Sequence, residues 1–576
     1  MKKNTLPTWL KLWIPLAIVA LLPTVGAWLQ NWYQVYGVDL FVGLIVNTLV
    51  ATLVFAIFYR VFLKDALAGY IGGIIATFFL SSNYESRLTT LYPILKAINP
   101  IPGLDAFGGV IFGLIIAALF VISSFYIGKL LSRLLGRLSW QPKDITGGIT
   151  VALSVIFLLQ MVPTIRDLVV EWPQFTYTPP VLAGNPVAST DKPDIYYIVL
   201  DRYTSSDILS SQFNFDNSGF TNFLTANGFS VNPNAHQNYP YTTMSISSTL
   251  NANYQTDIVQ KFASSSEQTI DPYHEAIRKS SVAVQLQKLG YTFDEVGSWY
   301  EASNLSDVAN TVYQPEGILT ILGHSMTLNS FGRNQVEQSL FWRIVSQGIH
   351  IGSHTLLGYS SIDEADSTLY KVQTLHDIAQ QPVGGKFVFA HILVPHDPYL
   401  FNADGSLNSN AESDNIGEPI KQKYLGQVEY INGQMEQLVT QINKNTAGKA
   451  VIIIQSDEGP YPIVLNDEDF DSNDVEQELA NGSMLDWSNP DLAMKYGILA
   501  AYHVPGASAA AMAQGDDSVN IFRLVLNTYF QDNLPYLPRC YYAYVNGRAQ
   551  SEVYTDITAR LTGTANAACP ADSNFK

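Results

Sequence analysis

The sequence predicts two parts: a bundle of five membrane-spanning helices at the N-terminus, then a large α/β domain built on a mostly parallel sheet. Three observations predict this. Charge divides the chain: residues 1–163 hold 11 of the 32 Lys and Arg but 5 of the 50 Asp and Glu, so the first part carries +6 and the remainder −24. Five apolar stretches fill the first part. Three apolar runs in the second part each carry a polar side chain at or near their end. The acidic excess argues against a nucleic-acid binder, which needs a basic surface. Cys540 and Cys569 form no CxxC motif and allow at most one bridge.

The apolar stretches run approximately over 12–30, 38–59, 66–82, 106–128 and 146–163. Each is near the length that crosses a hydrocarbon core of about 30 Å. Trp13, Trp28 and Trp32 flank the first as an interfacial belt would, and more spans follow it, so it reads as an uncleaved anchor. With the N-terminus inside, the cytoplasmic ends hold Lys2, Lys3, Lys11, Arg60, Lys64, Lys129, Arg133, Arg137 and Lys143, and the outside loops only Arg87 and Lys96. That asymmetry follows the positive-inside rule. The third stretch is short and Gly-rich. Reading it as a re-entrant segment would move Lys129 to Lys143 outside, against the charge rule. Five spans place everything after about Thr164 outside a plasma membrane.

Residues 164–193 are expected to form a linker, with Pro173, Pro179, Pro180, Pro186 and Pro193. Residues 194–576 are long enough for one large core. Ile195–Leu200, Phe387–Leu393 and Ala450–Ile454 are apolar at consecutive positions, as strands buried on both faces are. Amphipathic segments such as Phe220–Asn227 and Val282–Lys288 lie between them. This alternation predicts helices on both faces of the sheet.

The first run stops at Asp201. The second carries His391 near its end, with His396 just beyond. The third leads to Asp457 and Glu458. Ligands bind beyond the carboxyl ends of parallel strands, so these residues are candidates for one cavity. Asp201 reads equally as a helix cap, and His391 equally as a core histidine. His503 lies near another strand end. Between the first two runs, Thr242, Thr243 and Ser245 sit where a turn after Pro240 can open a helix. A hydroxyl there meets free N–H groups and the positive end of the helix dipole, which suit a phosphate.

In this order — Asp after a first strand, T-x-x-S, H-x-P, S-D-x-G — the residues resemble the alkaline phosphatase superfamily. The branch they match holds lipoteichoic acid synthases, phosphoethanolamine transferases and sulfatase-like hydrolases, whose members often place five spans before an extracytoplasmic catalytic domain. The resemblance implies an alkaline-phosphatase-like fold and a metal-dependent transferase or hydrolase of an envelope phosphate ester. It makes Asp201, Asp457 and, by position, Glu458 metal ligands, and Thr242 the metal-bound nucleophile. It makes His396 a contact to the phosphoryl group or a general acid. His391 and His503, from their places near strand ends, are candidate substrate contacts.

There are two departures from the family. Glu458 stands where a histidine is usual, giving SDEGP. An oxygen-only site of Asp201, Thr242, Asp457 and Glu458 favours one Mn²⁺ or Mg²⁺ ion, with Ca²⁺ and Zn²⁺ as alternatives. The C/S-x-P-x-R motif of a formylglycine nucleophile is absent. The expected partners are membrane lipids or an envelope glycopolymer as substrate, with no nucleic acid and no obligate protein. Two alternatives stand beside this: a sulfatase-like hydrolase with water as acceptor, and a catalytically silent envelope-binding protein. Asp467–Glu478, rich in acidic residues, resembles an EF-hand loop in spacing but lacks its glycine, and reads as a solvated loop. Trp299 and Tyr300 are aromatic candidates for a lipid or sugar pocket.

Overall fold

The computed structural model describes residues 7–31, 37–81, 84, 107–137, 142–166, 178–182, 184, 186–187, 192–256, 258, 272–298, 300–304, 306–314, 319–321, 324–326, 330–345, 348–352, 354–359, 364–408, 419–465, 483–544 and 554–569. The chain divides into two compact units. One joins Met1–Thr176 to Glu316–Ser361; the other joins Tyr177–Pro315 to Ile362–Lys576. Glu316–Ser361 thus lies inside the span read as one domain, yet clusters with the N-terminal helices. The acidic segment Asp467–Glu478 and Trp299 lie outside the described residues.

In the first unit the apolar stretches form helices α1 (Thr8–Asn31), α2 (Gly37–Lys64), α3 (Ala66–Leu80), α4 (Phe107–Leu135) and α5 (Pro142–Arg166). Among the described residues, four are long and apolar enough to cross a membrane. The exception is α3, with 15 residues. Side-chain pairs fix the directions of all five. Trp13 Nε1 donates to Thr52 Oγ1 and Asn47 Nδ2 to Thr24 Oγ1, so α1 and α2 run antiparallel. Asp65 reverses the chain after α2, its Oδ1 accepting from Ala68 N at 3.0 Å to cap α3. Phe79 stacks on Phe120 at 4.7 Å, while Gly128 meets Ala68: a Cβ on Gly128 would lie 2.5 Å from the Ala68 carbonyl oxygen. Hence α3 and α4 are antiparallel and in close backbone approach. Tyr70 donates to the Thr146 carbonyl at the start of α5, and Gln160 near its end donates to the Leu22 carbonyl of α1. So α3 and α5 point the same way as α1.

Glu316–Ser361 adds a four-stranded antiparallel sheet, of Leu319–Ile321, His324–Met326, Ile349–Ile351 and His354–Tyr359. Two short helices, Ser330–Glu337 and Trp342–Val345, lie between its strands in sequence.

The second unit is built on a seven-stranded sheet. Its strands are β1 (Ile195–Leu200), β2 (Ser230–Val231), β3 (Thr292–Val296), β4 (Thr311–Tyr313), β5 (Lys386–Ile392), β6 (Val451–Gln455) and β7 (Ala500–His503), in the order β2-β7-β6-β1-β5-β3-β4. Strands β6, β1, β5, β3 and β4 are parallel; β7 and β2 add an antiparallel edge. The expected mostly parallel sheet is present. Alternation along β1 sends Tyr196, Ile198 and Leu200 to one face, against Leu375 and Val428 of the helices Glu364–Gln380 and Ile420–Thr446. Ile195, Tyr197 and Val199 face the other way, against Leu286 and Phe522 of Ser281–Lys288 and Ile521–Phe530. Both faces are covered, which explains the unbroken apolar runs. Cys540 and Cys569 form a disulfide.

Candidate active site

Because β1, β5 and β6 are parallel neighbours, their carboxyl ends lie side by side. Asp201 follows β1, its N–H donating to the Ile392 carbonyl at the end of β5 at 2.9 Å. His391 faces Val199 in the ladder. Asp457 follows β6 by one residue. All three are buried, and one donor atom from each lies within 4.8 Å of the others. His391 Nε2 is 3.3 Å from Asp201 Oδ2.

Among the described residues, Asp201 Oδ1, His391 Nε2 and Asp457 Oδ2 are buried with no hydrogen-bond partner. Leaving such groups unpaired costs about 1–3 kcal/mol each, more for charged ones. Charge compounds the cost. Burial, then the Asp201 and Glu458 carboxylates, push the Asp457 carboxyl well above the usual carboxylate range, with the neighbouring Thr242 hydroxyl acting the other way. Burial also opposes ionisation of Asp201, but His396, His391 and Arg202 outweigh it and hold that carboxyl well below its usual range. Burial pushes the His391 imidazole down, leaving it the neutral form that ligates metals. A divalent cation between these atoms would relieve both the orphaned donors and the carboxylate repulsion. The residues therefore fit a metal ion.

Supporting groups fix this cluster. Ser303 Oγ lies 2.8 Å from His391 Nδ1, and Lys371 Nζ donates to the His391 carbonyl. Asp457 Oδ1 accepts from Glu458 N at 3.0 Å and Arg202 N at 3.4 Å. Arg202 has a φ of 59°, rare for a side chain this bulky. Its guanidinium holds it there, bonding Glu458 Oε1 at 3.2 Å and Asp397 Oδ1 at 2.8 Å.

Helix α6 (Thr242–Leu250) opens at Thr242, as the turn after Pro240 predicts. No side chain caps its start. The Thr242 hydroxyl reaches Asp457. Of its rivals, Thr243 is buried and Ser245 Oγ donates to the Tyr239 carbonyl. Asp201 caps no helix: Ser205 serves the helix Ser206–Ser211.

Glu458 is ion-paired at one carboxylate oxygen, while its Oε2 is buried with no hydrogen-bond partner. Its Oε1 accepts from Lys495 Nζ at 2.9 Å and from Arg202. The Tyr461 ring lies against both cations, 3.8 Å from Lys495 Nζ and 5.0 Å from Arg202 Cζ. His396 sits in the loop after β5, 3.3 Å from the Asp397 carboxylate and close enough to lower the Asp201 carboxyl. His503 is not brought to this cluster. It pairs with Ile452 and bonds the Ala450 carbonyl at 2.9 Å, at the opposite end of β6 from Asp457. Tyr300 presents its ring edge-on to His391 at 5.9 Å. Sequence reasoning passed over Arg202, Ser303, Lys371, Tyr461 and Lys495. Arg202 and Tyr461 adjoin the motifs LDRYTS and SDEGPY; nothing local marks the other three.

No family model and no curated protein matches the chain. Solved structures do. The C-terminal periplasmic domain of EcEptC from Escherichia coli, in complex with Zn, is 11% identical with a TM-score of 0.39, over 66% of this chain and 96% of that one. The C-terminal periplasmic domain of phosphoethanolamine transferase EptC from Campylobacter jejuni is 10% identical, TM-score 0.35, over 63% and 96%. A putative sulfatase from Bacteroides thetaiotaomicron is 10% identical, TM-score 0.32, over 55% and 66%.

Proposed function

We propose that this protein is a membrane-anchored, divalent-metal-dependent enzyme that transfers or hydrolyses a phospho-group of a cell-envelope ester. One observation carries the reading: three buried atoms without partners, from three strand ends, converge beside the hydroxyl that opens α6. Asp201, His391 and Asp457 would hold the ion. When bound, it supplies positive charge that favours the alkoxide of a nearby hydroxyl and offsets charge on the phosphoryl oxygens. With His391 in the donor set, the site is no longer oxygen-only, so Zn²⁺ joins Mn²⁺ and Mg²⁺ as a candidate. Ser303 Oγ accepting from Nδ1–H would leave the Nε2 lone pair free to ligate. Glu458 drops out of the ligand set in this reading, since Arg202 and Lys495 hold it.

Asp457 orients the Thr242 hydroxyl and accepts its proton as Thr242 Oγ bonds to phosphorus. The bond from phosphorus to the leaving oxygen breaks, and His396 gives that oxygen a proton. The uncapped start of α6 favours the anionic phospho-group through its free N–H groups. An acceptor hydroxyl, or water, then gives its proton to His396 as its oxygen bonds to phosphorus; the bond from phosphorus to Thr242 Oγ breaks, and Asp457 returns the proton to that oxygen. The acceptor alone separates transfer from hydrolysis.

Five spans, a cytoplasmic N-terminus and an extracytoplasmic site belong to this reading. The alternating helix directions support them, with α3 pointing as α1 and α5 do. So does the docking of Glu316–Ser361: Tyr84, just beyond α3, donates its N–H to the Gln338 carbonyl, and Gln335 bonds Thr24 in the later part of α1. A membrane-bound site meets lipid headgroups at high effective concentration, which makes a lipid-borne phosphodiester the favoured donor.

The test is product analysis. Detergent-purified full-length protein is incubated with a bacterial lipid extract and Mn²⁺, then with Zn²⁺, beside Thr242→Ala. Diacylglycerol or a headgroup-modified lipid, with a phospho-adduct on Thr242 in the intact protein, supports the reading. Identical products from both proteins with either metal overturn it.

A further inference from the structure

Polar side chains within a membrane bundle are expensive and call for an explanation. Thr24 and Asn47 are buried on α1 and α2. Gln335, from the inserted segment, reaches them: Thr24 Oγ1 donates to its Oε1 at 2.8 Å, and Asn47 Nδ2 donates to Thr24 Oγ1 at 2.8 Å. Gly43 makes room, since a Cβ there would lie 2.6 Å from Thr24 Cγ2 and 3.0 Å from Gln335 Oε1. Thr24 lies seven residues before the end of α1 at Asn31. At 1.5 Å of rise per residue, Gln335 docks about 10 Å below the helix end. Counted from Leu29, where the apolar span ends, the depth is about 8 Å, within the roughly 5–10 Å to which interfacial elements bury their apolar side.

Apolar contacts place the rest of the segment at the same level. Val336 and Val345 pack with Phe341, Trp342, Leu357 and Val42 of α2. Leu357 pairs in register with Ile349. Ile349 and Ile351 are 41% and 64% exposed; Phe41 and Ile45, flanking Val42, are 63% and 60% exposed. Exposed apolar side chains thus stand both on a spanning helix, beside Val42, and on the strand that pairs with Leu357. Water disfavours such a surface, whereas acyl chains accept it.

We infer that residues 330–345 and 348–351 form an interfacial membrane element: inserted between β4 and β5, docked through Gln335 on Thr24, and set with Ile349 and Ile351 against phospholipid acyl chains. The side chains reach the acyl boundary, while the backbone of the edge strand stays at headgroup level, where water satisfies it. The enzyme would thus hold its bilayer by a part of the chain that follows the spans by more than a hundred residues, not by the spans alone.

The test uses the full-length protein in phosphatidylethanolamine–phosphatidylglycerol vesicles. Ile351→Cys is spin-labelled; Cys540 and Cys569 are bridged, so the introduced thiol alone reacts. Phe41→Cys on α2 is the lipid reference, and Val383→Cys, at an exposed site of the second unit, the aqueous one. We expect the label at 351 to relax several-fold faster with oxygen than with an aqueous nickel chelate, as at 41. A label relaxed chiefly by nickel, as at 383, overturns the inference. A label shielded from both overturns it too, in favour of a face covered by protein. All three positions are exposed, so the variants keep the fold, and the readout is independent of catalysis.

Discussion

Each unit buries a polar cluster, and the two clusters are finished differently. In the helical unit, Thr24, Asn47 and Gln335 satisfy one another across three segments. In the α/β unit, Asp201, His391 and Asp457 bring atoms within 4.8 Å of one another but leave Asp201 Oδ1, His391 Nε2 and Asp457 Oδ2 without hydrogen-bond partners. Both arrangements desolvate polar groups, at a cost of about 1–3 kcal/mol for each one left unpaired. Mutual hydrogen bonds explain the first by stability alone. The second leaves donor atoms that a bound cation would satisfy. Burial of polar residues marks structure or function; the state of their partners tells which.

The comparison breaks if the open cluster proves inert. Thr242→Ala should lower turnover by ~10⁴-fold or more, as loss of a nucleophile does. Asp457→Asn should abolish binding of a single metal equivalent, measured by elemental mass spectrometry. Its effect on stability should change sign with the metal. Because the folded state raises the Asp457 pKa, its ionisation destabilises the metal-free fold increasingly as pH rises. In chelator at neutral pH, Asp457→Asn should therefore melt above wild type, and with metal present below it.

Glu458 sharpens the boundary between the two kinds of cluster. Removing one partner of a buried ion pair costs about 3–5 kcal/mol. Glu458→Gln removes the carboxylate charge that Arg202 and Lys495 share, so the melting temperature should fall while the metal equivalent per chain is kept. Loss of metal at unchanged stability would return Glu458 to the ligand set.

Glu295 offers a smaller contrast, a closed contact that titrates. Burial, opposed by a hydrogen bond from the Ser306 N–H, pushes its carboxyl up from 4.5 to about 7. A raised acid contributes stability that is full below the unfolded value and is lost as pH climbs to the folded one. Between pH 4.5 and 7, wild type should lose melting temperature relative to Glu295→Gln, and the two curves should run parallel above that window. The smallest effect belongs to the membrane cluster. Gln335→Ala should cost about 1 kcal/mol, the scale of an interhelical hydrogen bond in a bilayer, with turnover on soluble esters unchanged.

What the sequence revealed follows from what is local. The run Ile195–Leu200 is the strand itself, and the other two runs lie within one residue of theirs. Burial on both faces writes an apolar residue at every position, a signal that needs no partner to be read. The residues after those strands, Asp201 and Asp457, were legible for the same reason, as was the helix start at Thr242. His391 was ambiguous because a strand buried on both sides has no periodicity to say which way a side chain points; its register with Val199 decides that. The ion pair of Glu458 with Lys495 was not legible, because Lys495 follows it by 37 residues. The docking of Gln335 on Thr24, 311 positions apart, left no trace in the composition of either segment.

The Cys540–Cys569 bridge gives the chain a chemical memory of the side on which it folded. Thiols stay reduced in most cytosols and pair in oxidising compartments. Protein taken from cells under denaturing alkylation should present no reactive thiol if the α/β unit was exported. A chain inserted the other way round would present two. The bridge therefore records orientation after the membrane itself has been dissolved away.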